Sequence, residues 1–171
     1  LNRLTANFDS IFSIDTSTPE VMKEAADAGA HIINDVRALQ RPRALQTAAN
    51  LGLPVCLMHM QNQPKTMQDN PEYQDVLAEV LEFLGKRKQE CLDIGMQADQ
   101  ILLDPGFGFG KTLAHNLSLF NGLPTMEKQD HPILVGLSRK SMIGQIINAE
   151  VNDRLIGSVT MALFAAQLIY G

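Results

Sequence analysis

The sequence predicts an α/β protein built on a parallel sheet. Short, nearly continuous apolar runs alternate with helical patterns along the 171 residues, as expected for strands covered by helices on both faces. Each apolar run also ends in polar residues at its carboxyl end. A doubly wound sheet and a (β/α)8 TIM barrel both fit this order. A barrel normally takes about 250 residues, so a barrel here would be incomplete.

Five apolar runs are predicted as strands, because they are short, rich in Val, Ile and Leu, and bounded by turn-forming residues. In chain order they are IFSID (11–15), AHIIND (30–35), LPVCLMHM (53–60), DQILLD (99–104) and HPILVGLSRK (131–140).

Helices are predicted between and after these strands. Thr18 is a suitable N-cap, Pro19 fits the first turn, and Gly29 ends the first of them. The others are placed at 41–52, about 72–94, 116–120, 142–147 and 153–169.

Composition limits the function classes. A chain with 45% hydrophobic residues can bury a core, and its length indicates one domain over residues 1–171. The net charge of −5 argues against a general nucleic-acid or anionic-membrane surface. No apolar run is long enough for a membrane span, and the two cysteines, Cys56 and Cys91, lack zinc-site or disulfide spacing. A cytoplasmic protein is therefore predicted.

The segment ILLDPGFGFGKT (101–112) resembles a phosphate-binding loop at first sight. Pro105 stands where the P-loop needs a glycine, and proline has no N–H to offer a phosphate. The glycines at 106, 108 and 110 are evenly spaced, which also excludes the dinucleotide fingerprint. We therefore expect the glycines to allow a sharp turn close to a flat ligand, and Lys111 and Thr112 to be incidental to nucleotide binding.

Polar residues follow all five predicted strands and should converge at one edge of the sheet. Carboxylates and an amide suit a ligand rich in N–H donors, whereas a lysine offers a cation to an oxygen or a ring nitrogen. A polar heteroaromatic ring fits this set, and the adjacent arginine can meet an anion. The residues are Asp15, Asn34, Asp35, His59, Asp104, Ser138, Arg139 and Lys140.

Other interpretations of these residues stay open. A single Asp after a strand commonly caps a helix. His31 and His59 fit hydrogen-bonded core positions, and Met58 fits either the core or a contact with a flat ring. Lys140 also suits a Schiff-base aldolase, which the neighbouring Arg139 cation would favour.

The motifs together resemble the dihydropteroate synthase family, from about Phe12 to the end of the chain. They stand in the family's order and spacing: SIDTSTPEV, GAHIINDV, LPVCLMHMQ, PKTMQ, ILLDPGFGFGK and LVGLSRKSMIG. The resemblance implies a (β/α)8 barrel that joins (7,8-dihydropterin-6-yl)methyl diphosphate to 4-aminobenzoate and releases diphosphate with the help of Mg²⁺. It also allows a homodimer.

The resemblance implies a role for each matching residue. Asp15, Asn34 and Asp104 would bind the pterin nitrogens, with Lys140 on the pterin oxygen and ring nitrogen and Met58 against the ring. On the 4-aminobenzoate side it places Phe109 and Ser138, and it leaves Arg139 as a contact for an anion.

Three family features have no counterpart in the sequence. They are a metal-binding Asn on the first strand, two mobile loops near the N-terminus, and an Arg-x-His on the last strand. We therefore expect a longer natural protein, no metal ligand within this chain, and a barrel without its first strands and last strand. A catalytically incomplete pterin-binding fragment is one alternative. A methyltetrahydrofolate-dependent methyltransferase with a corrinoid partner is another, although SRKSMIG favours the synthase.

Overall fold

A computed structural model describes residues 1–62, 67, 69–128 and 131–170. Its strands are β1 (Ser13–Asp15), β2 (Ile32–Asp35), β3 (Val55–Met58) and β4 (Ile101–Asp104). Its α-helices are α1 (Asn2–Thr5), α2 (Pro19–Asp27), α3 (Ala44–Leu51), α4 (Val76–Asp93), α5 (Leu113–Asn121), α6 (Leu123–Glu127), α7 (Ser141–Ile147) and α8 (Leu155–Tyr170). Single 3₁₀ turns lie at Ala98–Gln100 and Val151–Asp153.

The four strands form one sheet in the order β1-β2-β3-β4. The first three pair in parallel, with Asp15 opposite Asn34 and Asn34 opposite Cys56. Every residue of β3 is buried, which explains why VCLM carries no polar alternation. The predicted parallel α/β architecture is therefore confirmed, and it places the strand ends at one edge of the sheet.

The predicted fifth strand differs from the structure. Between residues 131 and 140 only Ile133 makes a strand-type bridge. Pro132 has no N–H for a ladder, and Gly136 has little strand propensity, so this apolar segment does not sustain a paired strand. It runs as an irregular connection into a turn at Ser138 and Arg139.

Helix starts depend on side chains that the sequence reveals only in part. Thr18 stands at the N-cap position of α2, as predicted, but its side chain makes no capping hydrogen bond. Its hydroxyl accepts a hydrogen bond from Arg41 Nη1 at 3.0 Å. Helix α4 begins four residues later than predicted. Asp75 Oδ1 accepts the N–H groups of Leu77 and Ala78 at 3.0 Å each, so Asp75 caps this helix.

The chain divides into two compact units, and each has its own apolar core. Unit 1 comprises Leu1–His59 and Phe83–Leu103, and unit 2 comprises Met60–Glu82 and Asp104–Gly171. The core of unit 1 includes Met22, Ile33, Leu39, Leu57 and Ile101. The core of unit 2 includes Val80, Phe107, Leu119, Leu123, Met142 and Ile143. Within the described part of the chain, no helix is both long enough and apolar enough to cross a membrane.

Candidate functional site

The sheet edge of unit 1 brings Asp15 and Asn34 together. They are direct partners in the register of β1 and β2. Asn34 Oδ1 is buried and has no hydrogen-bond partner, an arrangement that costs free energy unless a ligand supplies a donor. The Asp15 side chain is exposed. Partial desolvation, and secondarily the Asp35 carboxylate, raise the pKa of Asp15. This edge is therefore suited to a ligand with N–H donors.

Asp35, the neighbour of Asn34, stabilises the loop that follows β2. Its side chain is fully buried and accepts hydrogen bonds from the Ser17 hydroxyl and from the N–H groups of Arg37 and Leu39, the latter two at 2.9 and 3.0 Å. These bonds hold a loop in which Leu39 has a φ of 60°. The sequence grouped Asp35 with the ligand-binding strand ends, and the structure assigns it to loop support.

Met58 ends β3 and His59 follows it, both within unit 1. Met58 is 3% exposed and His59 is 6% exposed. The His59 ring packs edge-on against Phe83, with the ring centroids 5.0 Å apart. This is the environment expected for a core histidine.

The glycine loop of unit 2, residues 106–110, follows the end of β4. Gly106, Gly108 and Gly110 have φ values of 67°, 81° and 64°, which other residues rarely adopt. A Cβ at Gly110 would lie 2.8 Å from the carbonyl oxygen of Gln61. The close approach at Gly110 is therefore to another part of the backbone, whereas the sequence interpretation assigned it to a flat ligand.

Asp104 is the buried carboxylate of this loop. It is 6% exposed, and its Oδ1 accepts the Gly106 N–H at 2.7 Å. Burial raises the pKa of Asp104, while the hydrogen bond from Gly106 and the positive charges of Lys140 and Lys111 act in the opposite direction. A carboxylate between two lysines in little water is suited to strong, directional hydrogen bonds.

Lys140 and Phe109 lie together beside this carboxylate. Lys140 Nζ lies 4.7 Å from the centroid of the Phe109 ring, a cation–π distance, and it donates a hydrogen bond to the Phe107 carbonyl oxygen. Burial lowers the pKa of Lys140, and the Asp104 charge opposes this shift. Asp104, Phe109 and Lys140, predicted separately, therefore form one cluster within unit 2.

Ser138 and Arg139 precede Lys140, and both are exposed. Arg139 has a φ of 53°, and its N–H donates to Ser158 Oγ at 2.8 Å. The Arg139 carbonyl oxygen accepts a hydrogen bond from Arg154 Nη1 at 3.2 Å. The loop is thus held by its backbone, which leaves the Arg139 guanidinium at the surface.

Lys111 is the residue of this region that the sequence interpretation missed. It is 4% exposed, and its Nζ donates to the carbonyl oxygens of Gly106 and Phe109, at 3.0 Å each. Burial is the main reason why the pKa of Lys111 falls to about 7. One signal was available: carbonyl groups in a glycine-rich turn need donors, and Lys111 is the first cation after the turn.

A metal site is not formed by the described residues. No group of three or more His, Cys, Asp or Glu side chains lies close enough among them to hold an ion.

A parallel α/β sheet with polar residues at the carboxyl ends of its strands is typical of the class of α/β proteins that bind small molecules at that edge. Residues 1–168 match a family described as pterin binding enzymes. The chain therefore belongs to the pterin binding enzyme family.

Dihydropteroate synthases are among the similar proteins. The enzyme of Escherichia coli (strain K12) is 52% identical over 163 residues, which cover 95% of this chain and 58% of that enzyme. A Yersinia pestis dihydropteroate synthase in a sulfonamide drug complex matches with a TM-score of 0.94 and 49% identity, covering 98% of this chain and 61% of that one. The Xanthomonas albilineans enzyme in complex with 7,8-dihydropteroate matches with a TM-score of 0.91 and 44% identity, covering 98% and 61%.

This likeness confirms the predicted fold class, an incomplete (β/α)8 TIM barrel. The chain spans 58% of the length of the Escherichia coli relative that it matches.

Proposed function

We propose that the chain is part of a dihydropteroate synthase, a transferase of folate biosynthesis. The enzyme would join (7,8-dihydropterin-6-yl)methyl diphosphate to 4-aminobenzoate, giving 7,8-dihydropteroate and diphosphate. The single observation that supports it most is the buried Asp104 carboxylate, which lies at a strand end beside Lys140 and Phe109. The identity to dihydropteroate synthases supports the same assignment.

Pterin recognition would depend on acceptors that face its N–H groups. A carboxylate such as Asp104 can accept two parallel N–H bonds from the N–C–N edge of a pterin, at about 1.5–3 kcal/mol each. Asn34, Asp15 and Met58 are assigned to the pterin by the family resemblance, and within unit 1 Asn34 Oδ1 is a buried acceptor without a hydrogen-bond partner.

The 4-aminobenzoate side is proposed at Phe109 and Ser138. The Phe109 ring already faces a cation on one side, and an aromatic acid can pack against such a ring. The exposed Arg139 guanidinium can meet an anion, either a carboxylate or a phosphate.

The reaction is a substitution at the pterin methylene. The bond from that carbon to the diphosphate oxygen breaks, and its electron pair leaves with the diphosphate. The amine nitrogen of 4-aminobenzoate forms the new C–N bond and then loses a proton. The described residues contribute by holding the pterin, excluding water and orienting the two reactants. Mg²⁺ stays a prediction of the resemblance, and a cytoplasmic location stays a prediction from the composition.

Binding without turnover is the second candidate function. It is favoured by the fact that the chain covers 58% of the Escherichia coli relative. Titration calorimetry with a dihydropterin and a separate assay of dihydropteroate formation distinguish the two. We expect dihydropterin binding in either case. Robust turnover would refute the fragment interpretation, and a chain that binds no dihydropterin would refute both.

A homodimer is proposed through the surface of α7 and α8. Exposed apolar side chains there include Ile146, Ile156 and Phe164, which line an open groove of about 310 Å³. Such a patch commonly marks an interface. Sedimentation of the chain should show a dimer that Ile156→Asp converts to a monomer, while a monomeric wild-type chain would contradict this assembly.

A further inference from the structure

Lys111 is a buried cation whose surroundings belong to the glycine loop. Its side chain is almost completely buried, which is costly for an ammonium group unless hydrogen bonds compensate. Its hydrogen-bond partners include two carbonyl oxygens of the loop, those of Gly106 and Phe109. A lysine with only a surface role would extend into solvent. The position of this ammonium therefore indicates that it stabilises the loop backbone.

The rest of the loop is also held by side chains. Asn116 Oδ1 accepts the Gly108 N–H at 2.8 Å, and its amide group donates to the carbonyl oxygens of Lys111 and Thr112 at 3.3 and 2.7 Å. Lys140 donates to the Phe107 carbonyl oxygen. Because the glycines themselves impose little conformation, these side chains determine the path of the backbone.

Gly106 connects Lys111 to the proposed pterin-binding carboxylate. The Gly106 N–H donates to Asp104, and the Gly106 carbonyl oxygen accepts from Lys111. The second carbonyl that Lys111 holds is that of Phe109, whose ring lies against Lys140. One ammonium group thus holds the loop backbone at two points: at Gly106, whose N–H bonds Asp104, and at Phe109.

We propose that Lys111 is a positioning residue of the pterin site, which holds Asp104 and Phe109 in place through the backbone of the glycine loop. The inference rests on the proposed function, since it assumes that a dihydropterin is the ligand. Loss of the ammonium would free two carbonyl groups and allow the glycines to adopt other conformations. The loop would then hold the Asp104 carboxylate in its binding position for a smaller fraction of the time, which weakens ligand binding.

The test compares Lys111→Met and Lys111→Gln with the wild-type chain. Lys128→Met serves as the matched control, because Lys128 lies in the same unit and is exposed. Two quantities are measured: hydrogen exchange of the loop amides from 106 to 109, and the Kd for a dihydropterin by calorimetry. In Lys111→Met we expect loop exchange at least tenfold faster and a Kd at least tenfold higher. The Gln amide donates two hydrogens, so Lys111→Gln should recover part of both effects.

A purely structural role would lower the melting temperature without changing the affinity of the folded chain. A wild-type Kd or unchanged loop exchange in Lys111→Met therefore overturns the proposal, whatever happens to the melting temperature. If the Met variant does not fold, Lys111→Gln is judged by the same two measurements. A wild-type chain without dihydropterin affinity would instead overturn the proposed function, and loop exchange would still show whether Lys111 holds the loop.

Discussion

Asp104→Asn is the most direct test of pterin recognition. The substitution keeps the shape of the side chain and an oxygen that can accept the Gly106 N–H, at 2.7 Å in the wild type. It removes the negative charge and turns an NH₂ donor towards a ligand that also presents N–H donors. The carboxylate is 6% exposed, so solvent screening is weak and the loss should be close to that of a buried charged acceptor.

The magnitude follows from two charge-assisted bonds. Each contributes about 1.5–3 kcal/mol, against about 0.5–1.5 kcal/mol for a neutral bond. Allowing for one neutral bond that survives, the loss is about 3 kcal/mol, or roughly a hundredfold in Kd. Asp104→Ala is less informative, because it would also leave the Gly106 N–H unpaired and cost about 1–3 kcal/mol of folding stability.

Titration calorimetry with a dihydropterin measures this loss, with thermal unfolding to confirm that the variant is folded. Asp153→Asn is the matched control, since Asp153 is exposed in the same unit. A Kd within about threefold of the wild-type value would correspond to a loss of less than about 1 kcal/mol of binding free energy. That result would show that Asp104 does not bind the pterin.

Three further outcomes are expected. Asn34→Ala should raise the dihydropterin Kd about tenfold and leave the stability of the fold nearly unchanged, because the Asn34 oxygen has no partner to lose. Thermal unfolding and calorimetry together check this. A large loss of stability with normal affinity would contradict it. The lowered pKa of Lys111, about 7 when folded, means that the unfolded chain binds more protons above that pH. Titration of Lys111 should therefore make the free energy of unfolding rise with pH from about 7 towards 10, by at most about 1.4 kcal/mol per pH unit. Urea unfolding at several pH values should show a smaller rise in Lys111→Met. An equal rise in the variant and the wild type would argue against the lowered pKa of Lys111. Gly110→Ala should destabilise by more than Gly52→Ala: both glycines have positive φ, but only at Gly110 would the new Cβ meet a backbone oxygen, that of Gln61, whereas Gly52 has open space. Equal melting temperatures for these two variants would rule out the close approach.

The sequence predicted those features that depend on local pattern. β2 and β3 lie within their predicted apolar runs, and Gly52 ends its helix in the left-handed conformation. Asp104, Phe109 and Lys140 were each named as site residues, through motifs that resemble a family, but their grouping in one cluster is seen only in the structure. The strand and helix-end signals are local in the chain, so a single sequence is sufficient to find them.

The features that escaped prediction depend on where backbone groups point after folding. Asp35 and Asn34 are adjacent in sequence, yet one supports a loop and the other leaves an acceptor unpaired. Lys111 contacts the glycine loop because two carbonyl oxygens of that loop point towards its Nζ. Residue type and spacing can suggest Lys111 as a donor for the turn, but they do not show which backbone groups Lys111 or Asp35 will contact.

The bonds of Asp35 also affect how this scaffold could be redesigned. The carboxylate joins the segment after β1, through Ser17, to the segment after β2, through Arg37 and Leu39. Neither segment is an independent module: a graft that replaced one alone would leave a buried charge without its donors. Loop exchange with a related barrel should therefore transfer both segments together with the carboxylate.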